Sequence, residues 1–148
     1  MQSAKGKYIV IFNVDFYDLD LIKLAEIDLF GRDLVMGSKM AHWSEDNRSV
    51  SRRLYSFGYN LFLKLLFGFR GSDTHGIKIL RKEVVDKILK KCKTTSGIMD
   101  TEFVIRIQRA GYKISDFPVT IVEKRNSRFD NRLFSTGFDL YNLYRALK

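Results

Sequence analysis

The run Tyr8-Ile9-Val10-Ile11-Phe12 most constrains what this chain can fold into. An unbroken apolar run rich in β-branched and aromatic residues reads as a strand buried on both faces, as in a parallel sheet. It ends in Asn13-Val14-Asp15, which places polar groups at the carboxyl end of that strand. In open α/β sheets that edge is where ligands bind. Asp18 or Asp20 then caps a short helix carrying Leu21, Leu24 and Ile27 on one face, and Gly31 stops it. Asp33-Leu34-Val35-Met36 reads as a second short strand, ending at Gly37-Ser38-Lys39.

The chain has 148 residues, enough for one domain and too few for two ordinary ones. Apolar residues make up 45%, so a folded core is expected, and a single proline argues against a disordered chain. Cys92 is the only cysteine, which excludes an internal disulfide; with two histidines it also excludes a zinc finger or ribbon. Residues 1–47 carry 5 basic and 8 acidic side chains, whereas residues 48–148 carry 21 basic and 9 acidic. The net of +12 in the second part fits an anionic partner such as phosphate, nucleic acid or acidic lipid, or else a solvated surface. No apolar run reaches the ~18 residues of a spanning helix. The start MQSAKGKYIV has no signal-peptide pattern.

From Val50 to Phe67 the pattern turns helical, with Leu54, Phe57, Leu61 and Leu65 on one stripe and Arg52, Arg53 and Lys64 as its cationic part. This is either a core or interface helix, or an amphipathic helix lying in a membrane surface. Ile77-Lys78-Ile79-Leu80 reads as a strand leading into a helix with Val84, Val85, Ile88 and Leu89 inward. Lys87, Lys90, Lys91 and Lys93 read as a solvated helix end. Residues 94–97 form a loop and 101–110 a helix, for which Gly111 is a good stop. Residues 112–122 are extended, with Pro118 limiting them to an edge or irregular strand. A basic loop over 125–132 precedes a terminal helix from Phe138 to Leu147.

Eight segments, in order, resemble the family 2 glycosyltransferases of GT-A fold, in particular polyprenyl-phosphate sugar transferases such as dolichyl-phosphate mannose or glucose synthases. Ala4 through Asp15 resembles the strand leading into the family's Asp-x-Asp motif. Leu34-Val35-Met36-Gly37-Ser38-Lys39 is similar to its strand ending in Gly-Ser-Arg, and Ser51 through Gly68 to its arginine-bearing amphipathic helix. Ser72-Asp73-Thr74-His75-Gly76-Ile77-Lys78 resembles Asp-x-x-x-Gly-Phe-Lys/Arg. Met99-Asp100-Thr101-Glu102-Phe103 resembles Asp-x-Glu-Leu, and Arg109 through Ile114 the Gly-Tyr-x-Ile that follows. Phe117-Pro118-Val119-Thr120 and Arg125-Asn126-Ser127-Arg128 complete the order. The resemblance implies an α/β fold: a partial GT-A, Rossmann-like mixed sheet flanked by helices. It covers 1–148 as a single domain, the C-terminal portion of a catalytic domain. The family's N-terminal nucleotide-binding strands have no counterpart here. In the Asp-x-Asp motif, Asn13 replaces the first carboxylate.

The implied reaction moves a sugar from a UDP- or GDP-linked nucleotide sugar to a polyprenyl phosphate. The implied place is cytoplasmic, peripheral to a membrane surface. Asp15 would hold Mg²⁺ or Mn²⁺ at this weakened motif, with Asn13 beside the diphosphate. Ser38 and Lys39, at the same sheet edge, would meet the acceptor phosphate. Arg52 or Arg53 would grip a lipid phosphate by a bidentate contact, or sit in solvent. Asp73 would face the sugar. Asp100 and Glu102 would lie beside sugar or acceptor; two residues apart within a helix, they project to nearly opposite faces. Arg125, Ser127 and Arg128 belong to a loop that in relatives closes over the diphosphate. His42 and His75 read as structural or exposed. Two other readings stand beside this one. One is a non-catalytic remnant or subunit, with a partner chain supplying the nucleotide-binding half. The other is a nucleic-acid-binding domain, supported only by basicity and by Tyr55, Phe57 and Tyr59 among arginines.

Overall fold

Alternating apolar residues build a mixed sheet with helices against it. The computed structural model describes residues 1, 3–12, 22–23, 31–95, 97–121 and 130–148; the side chains of 121 and 130–135 are not described. The strands are β1 (Tyr8–Ile11), β2 (Leu34–Ser38), β3 (Glu45–Asp46), β4 (Lys78–Arg81), β5 (Ile114–Pro118) and β6 (Thr120–Ile121). The helices are α1 (Val50–Phe67), α2 (Lys82–Ile88), α3 (Met99–Arg109) and α4 (Asp130–Leu147). The main sheet runs β1-β4-β2-β5, and β3 and β6 form a separate two-stranded ribbon. β4 is antiparallel to both β1 and β2, and β5 is parallel to β2. The fold is α/β, as expected.

Side-chain alternation sorts the core. Leu34, Met36 and Leu80 join Leu63 and Phe67 of α1, Val84, Val85 and Ile88 of α2 and Phe103 of α3 on one face. Val35, Ile77 and Ile79 form a smaller cluster on the other. Among the described residues β5 is an edge strand of this sheet, and Pro118 ends it. Gly111, at φ +81°, follows α3 as expected. Lys87, Lys90, Lys91 and Lys93 are exposed, the solvated helix end expected of them.

Three expectations are corrected. β1 is not buried on both faces in a parallel sheet. It is antiparallel to β4, and among the described residues it is an edge strand; Ile9 is buried while Tyr8 and Phe12 are exposed. The terminal helix begins at Asp130 rather than Phe138, so Gly137 lies inside it. An internal glycine costs a helix only ~1 kcal/mol relative to alanine and does not end it. The third correction concerns α1. Its bounds match the pattern, but of the readings left open the core one is overturned, because the stripe points outward: Leu54 is 65% exposed, Phe57 59% and Leu65 76%. The inward residues are Tyr59, Asn60, Leu63 and Phe67. Tyr59, Leu63 and Phe67 lie two positions beyond Phe57, Leu61 and Leu65, a turn of about 200° around the helix. Among the described residues, no helix is long and apolar enough to cross a membrane.

Candidate functional site

Because β1 and β2 both oppose β4, they run in the same direction, and β5 runs with them. The carboxyl ends of β2 and β5 therefore share an edge with the start of β4. A polar cluster forms there from the end of β2, residues 72–78, the start of α3 and the inner face of α1.

Ser38 is buried, and its hydroxyl meets the Ser72 hydroxyl at 2.6 Å. Ser72 donates from its hydroxyl (2.5 Å) and its N–H (2.6 Å) to Asp116 Oδ2 on β5. The Asn60 side-chain amide donates to the Ser72 carbonyl, tying α1 to this segment. Lys39 forms an ion pair with Asp73. The other Asp73 oxygen accepts the N–H groups of Thr74 (2.7 Å) and His75 (3.1 Å). Burial alone would raise the Asp73 pKa, but the Lys39 charge and hydrogen bond and the His75 N–H outweigh it and hold the carboxylate ionised.

Lys78 is wholly buried. Alternation along β4 turns Ile77 and Ile79 to one face, and Lys78 with Leu80 to the other, where α3 begins. Its Nζ donates to the Gly76 carbonyl at 3.1 Å and pairs with Asp100 Oδ2 at 3.3 Å. Burial lowers its pKa, and Asp100 opposes that shift. A buried ammonium is tolerated only when paired and hydrogen-bonded. Asp100 keeps a third of its side chain exposed. Two lysine–carboxylate pairs thus stand at one sheet edge. A chain of hydroxyls crosses the same region, from Tyr59 through Thr101 and Thr74 to His75.

Of the residues named from the sequence, Ser38, Lys39, Asp73 and Asp100 come together here. Glu102 does not join them. Its buried carboxylate accepts the N–H groups of Lys93 (3.0 Å) and Thr94 (2.8 Å), the Thr94 hydroxyl (2.6 Å) and Arg106 Nε (2.7 Å). The loop it anchors and α4 line a cavity of about 600 Å³ that shares no lining residue with the strand-end cluster. Arg52 is half-buried and Arg53 exposed, both in the first turn of α1. Asn13, Asp15, Arg125, Ser127 and Arg128 lie outside the described residues. Among the described residues, no group of three His, Cys, Asp or Glu side chains is placed to hold a metal ion.

Lys78, Tyr59, Thr74, His75, Thr101 and Ser72 were not named as site residues from the sequence. Lys78 carried a signal, being a charge at an inward position of an alternating strand. The hydroxyls carried none. The aromatic trio suggested for nucleic acid is split: Tyr55 and Tyr59 stack on one face of α1, with ring centroids 6.4 Å apart, and Phe57 is on another. Tyr55 hydrogen-bonds Thr136 of α4, Tyr59 hydrogen-bonds Thr101 of α3, and Phe57 points to solvent.

No known family model matches the chain. An uncharacterized protein of Methanocaldococcus jannaschii is 27% identical over 141 residues, which cover 92% of this chain and 58% of that protein. The glycosyltransferase AglD of Haloferax volcanii is 28% identical over 140 residues, covering 87% of this chain and 21% of AglD. This chain is glycosyltransferase-like. It spans 58% and 21% of the lengths of these two curated relatives.

Proposed function

We propose that this domain, 1–148, is the phosphate-facing part of a family 2, GT-A sugar transferase that uses a UDP- or GDP-linked donor and a polyprenyl phosphate acceptor at a membrane surface. The observation that carries the reading is the strand-end cluster, where Lys39–Asp73 and Lys78–Asp100 converge beside the arginine-bearing helix α1. In the transfer, the bond from the anomeric carbon to the nucleotide diphosphate breaks, and an acceptor phosphate oxygen bonds to that carbon. A phosphate acceptor is already anionic at neutral pH and needs no general base. It needs cations that hold it in line with the anomeric carbon. Lys39, with Ser38 beside it, is the described cation for that task, and Arg52, Arg53, Arg125 and Arg128 add to it. Of the four carboxylates named from the sequence, three are described, and among these Asp100 has surface open to a ligand. Asp73 commits both oxygens to Lys39 and its own loop, and Glu102 is enclosed. Asp15 is the residue that would hold Mg²⁺ or Mn²⁺, whose chemistry is to neutralise the leaving diphosphate.

The lipid side is the outward ridge of α1. Val50, Leu54, Phe57, Leu61, Leu65 and Leu66 are exposed, with Arg53 and Lys64 exposed on the same helix. Apolar bulk beside cations suits the boundary between headgroups and acyl chains. Sedimentation with vesicles of anionic lipid and polyprenyl phosphate tests this. The double variant Leu54→Asp/Leu65→Asp is expected to bind at least ~10-fold more weakly, because each leucine buried in the interface contributes roughly 1.5–3 kcal/mol. Both side chains are exposed, so thermal stability should change little. Unchanged vesicle binding would rule out α1 as the lipid contact.

A further inference from the structure

Away from the strand-end cluster, one ion pair fixes two walls of a cavity. Glu102 of α3 accepts the N–H groups of Lys93 and Thr94. Arg106, one turn further along α3, pairs with Glu102 at 2.7 Å and donates from Nη2 to the Ala146 carbonyl of α4 at 2.6 Å. The loop 93–95 and α4 are thereby clamped to the same stretch of α3, and the cavity of about 600 Å³ lies between them. That volume falls in the range of small-molecule sites, about 300–1,000 Å³. From α4 the cavity receives a narrow stripe. Phe138, Asn142 and Arg145 are spaced i, i+4 and i+7, with Asp139 beside them and the buried Leu143 and Ala146 next to the stripe. Lys93 and Thr95 line it from the loop.

The polar groups of this lining are not committed to one another. Among the described residues, Lys93, Arg145 and Asp139 form no ion pair, and Asn142 forms no side-chain hydrogen bond. Elsewhere Lys39, Arg48, Lys78 and Lys82 each have a carboxylate partner. Two cations against one carboxylate favour an anion. Arginine and lysine together suit a phosphate, the first by a bidentate fork and the second as a point charge. The Asp139 carboxylate only accepts hydrogen bonds, and the Asn142 amide both donates and accepts, so hydroxyl groups satisfy them. Phe138 is 67% exposed, and the negative face of its ring suits the C–H hydrogens on one side of a sugar ring. We propose that this cavity binds a phosphorylated sugar, with Lys93 and Arg145 on the phosphate, Asp139 and Asn142 on ring hydroxyls and Phe138 against the ring. The site shares no lining residue with the strand-end cluster, and the inference does not depend on that cluster's role.

Glucose-6-phosphate is the probe, with inorganic phosphate and glucose as its two halves. In an amide NMR titration of the chain, glucose-6-phosphate is expected to shift Thr95, Asn142 and Arg145 saturably, while Lys39 and Thr74 of the strand-end cluster stay in place. It should bind at least ~fivefold more tightly than inorganic phosphate, because the ring adds at least one neutral hydrogen bond. Glucose should bind most weakly of the three. Lys93→Ala and Arg145→Ala should each weaken binding roughly tenfold, the worth of a hydrogen bond to a charged group. Both side chains are exposed, so the melting temperature should not move. Asn142→Ala should weaken glucose-6-phosphate roughly fivefold and leave inorganic phosphate unchanged. No saturable shift at these amides would overturn the inference, as would binding that neither cation variant weakens. Equal affinity for inorganic phosphate and glucose-6-phosphate would overturn it too, marking a basic surface without a sugar subsite. Shifts confined to Lys39 and Thr74 would do the same by placing the sugar phosphate at the strand-end cluster.

Discussion

Gly76→Ala is expected to destabilise the protein on the order of 3 kcal/mol, the upper range for forcing atoms into packed space. An added Cβ would sit 1.6 Å from the Gly37 carbonyl oxygen and 2.8 Å from its carbon, where real Cβ atoms essentially never come within 3.0 Å. The obstacle is backbone, so no rotamer change relieves it. Gly37 N–H donates to the Ile77 carbonyl at 2.9 Å, which closes the two segments on each other. Separating them would also draw Ser38 from Ser72 and Lys39 from Asp73, so phosphate binding should fall with stability. Denaturant unfolding of the variant measures the first effect. A loss below about 1 kcal/mol would mean that β2 and the segment before β4 do not approach this closely.

Glu102→Gln should cost about 3–5 kcal/mol, the range for breaking a buried charge pair from one side. Oε1 accepts from Lys93 N–H and Arg106 Nε; Oε2 accepts from Lys93 N–H, Thr94 N–H and the Thr94 hydroxyl. Whichever oxygen becomes an amide NH₂ then faces donors. The pH dependence follows from the same contacts. Burial alone would raise the Glu102 pKa, but the Thr94 hydroxyl, the two N–H groups and Arg106 bring it below the usual carboxylate value. A group with a lowered folded pKa contributes its stability above the unfolded value, ~4.3 for glutamate. That contribution is lost as pH falls through the lowered folded value. The glutamine variant should lack this share of acid sensitivity. Cys92 supplies a second readout. Burial pushes its thiol up to about 11, with the Glu102 charge adding to that and Arg106 opposing. Removing the charge should speed Cys92 alkylation at mildly alkaline pH. Unchanged stability together with unchanged Cys92 reactivity would show that Glu102 does not anchor residues 93–94.

Element positions were readable where local patterns carry them. The span of α1, the strand ending at Ser38 and the stop at Gly111 follow from periodicity and turn chemistry. The choice of inward face on α1 was not readable, because the helix is apolar on both sides. Tertiary partners decide it: Asn60 finds the Ser72 carbonyl and Tyr59 finds Thr101, contacts between residues 12 and 42 positions apart. The gathering of Ser38, Lys39, Asp73 and Asp100 follows from strand direction. Their pairing does not, since a single buried lysine at position 78 determines which carboxylate is held. The spacing of Asp100 and Glu102 proved informative. Two residues apart on α3, they serve different neighbours: Lys78 on one side, residues 93–94 and Arg106 on the other.

The most direct test of the central claim is calorimetric titration of the folded chain with UDP-glucose and with GDP-mannose, each with and without Mn²⁺. The expected result is saturable binding of one donor that requires Mn²⁺, with Asp15 holding the metal beside its diphosphate. No heat with either donor under any condition, in a sample whose circular dichroism shows it folded, would contradict a sugar-nucleotide site in this domain.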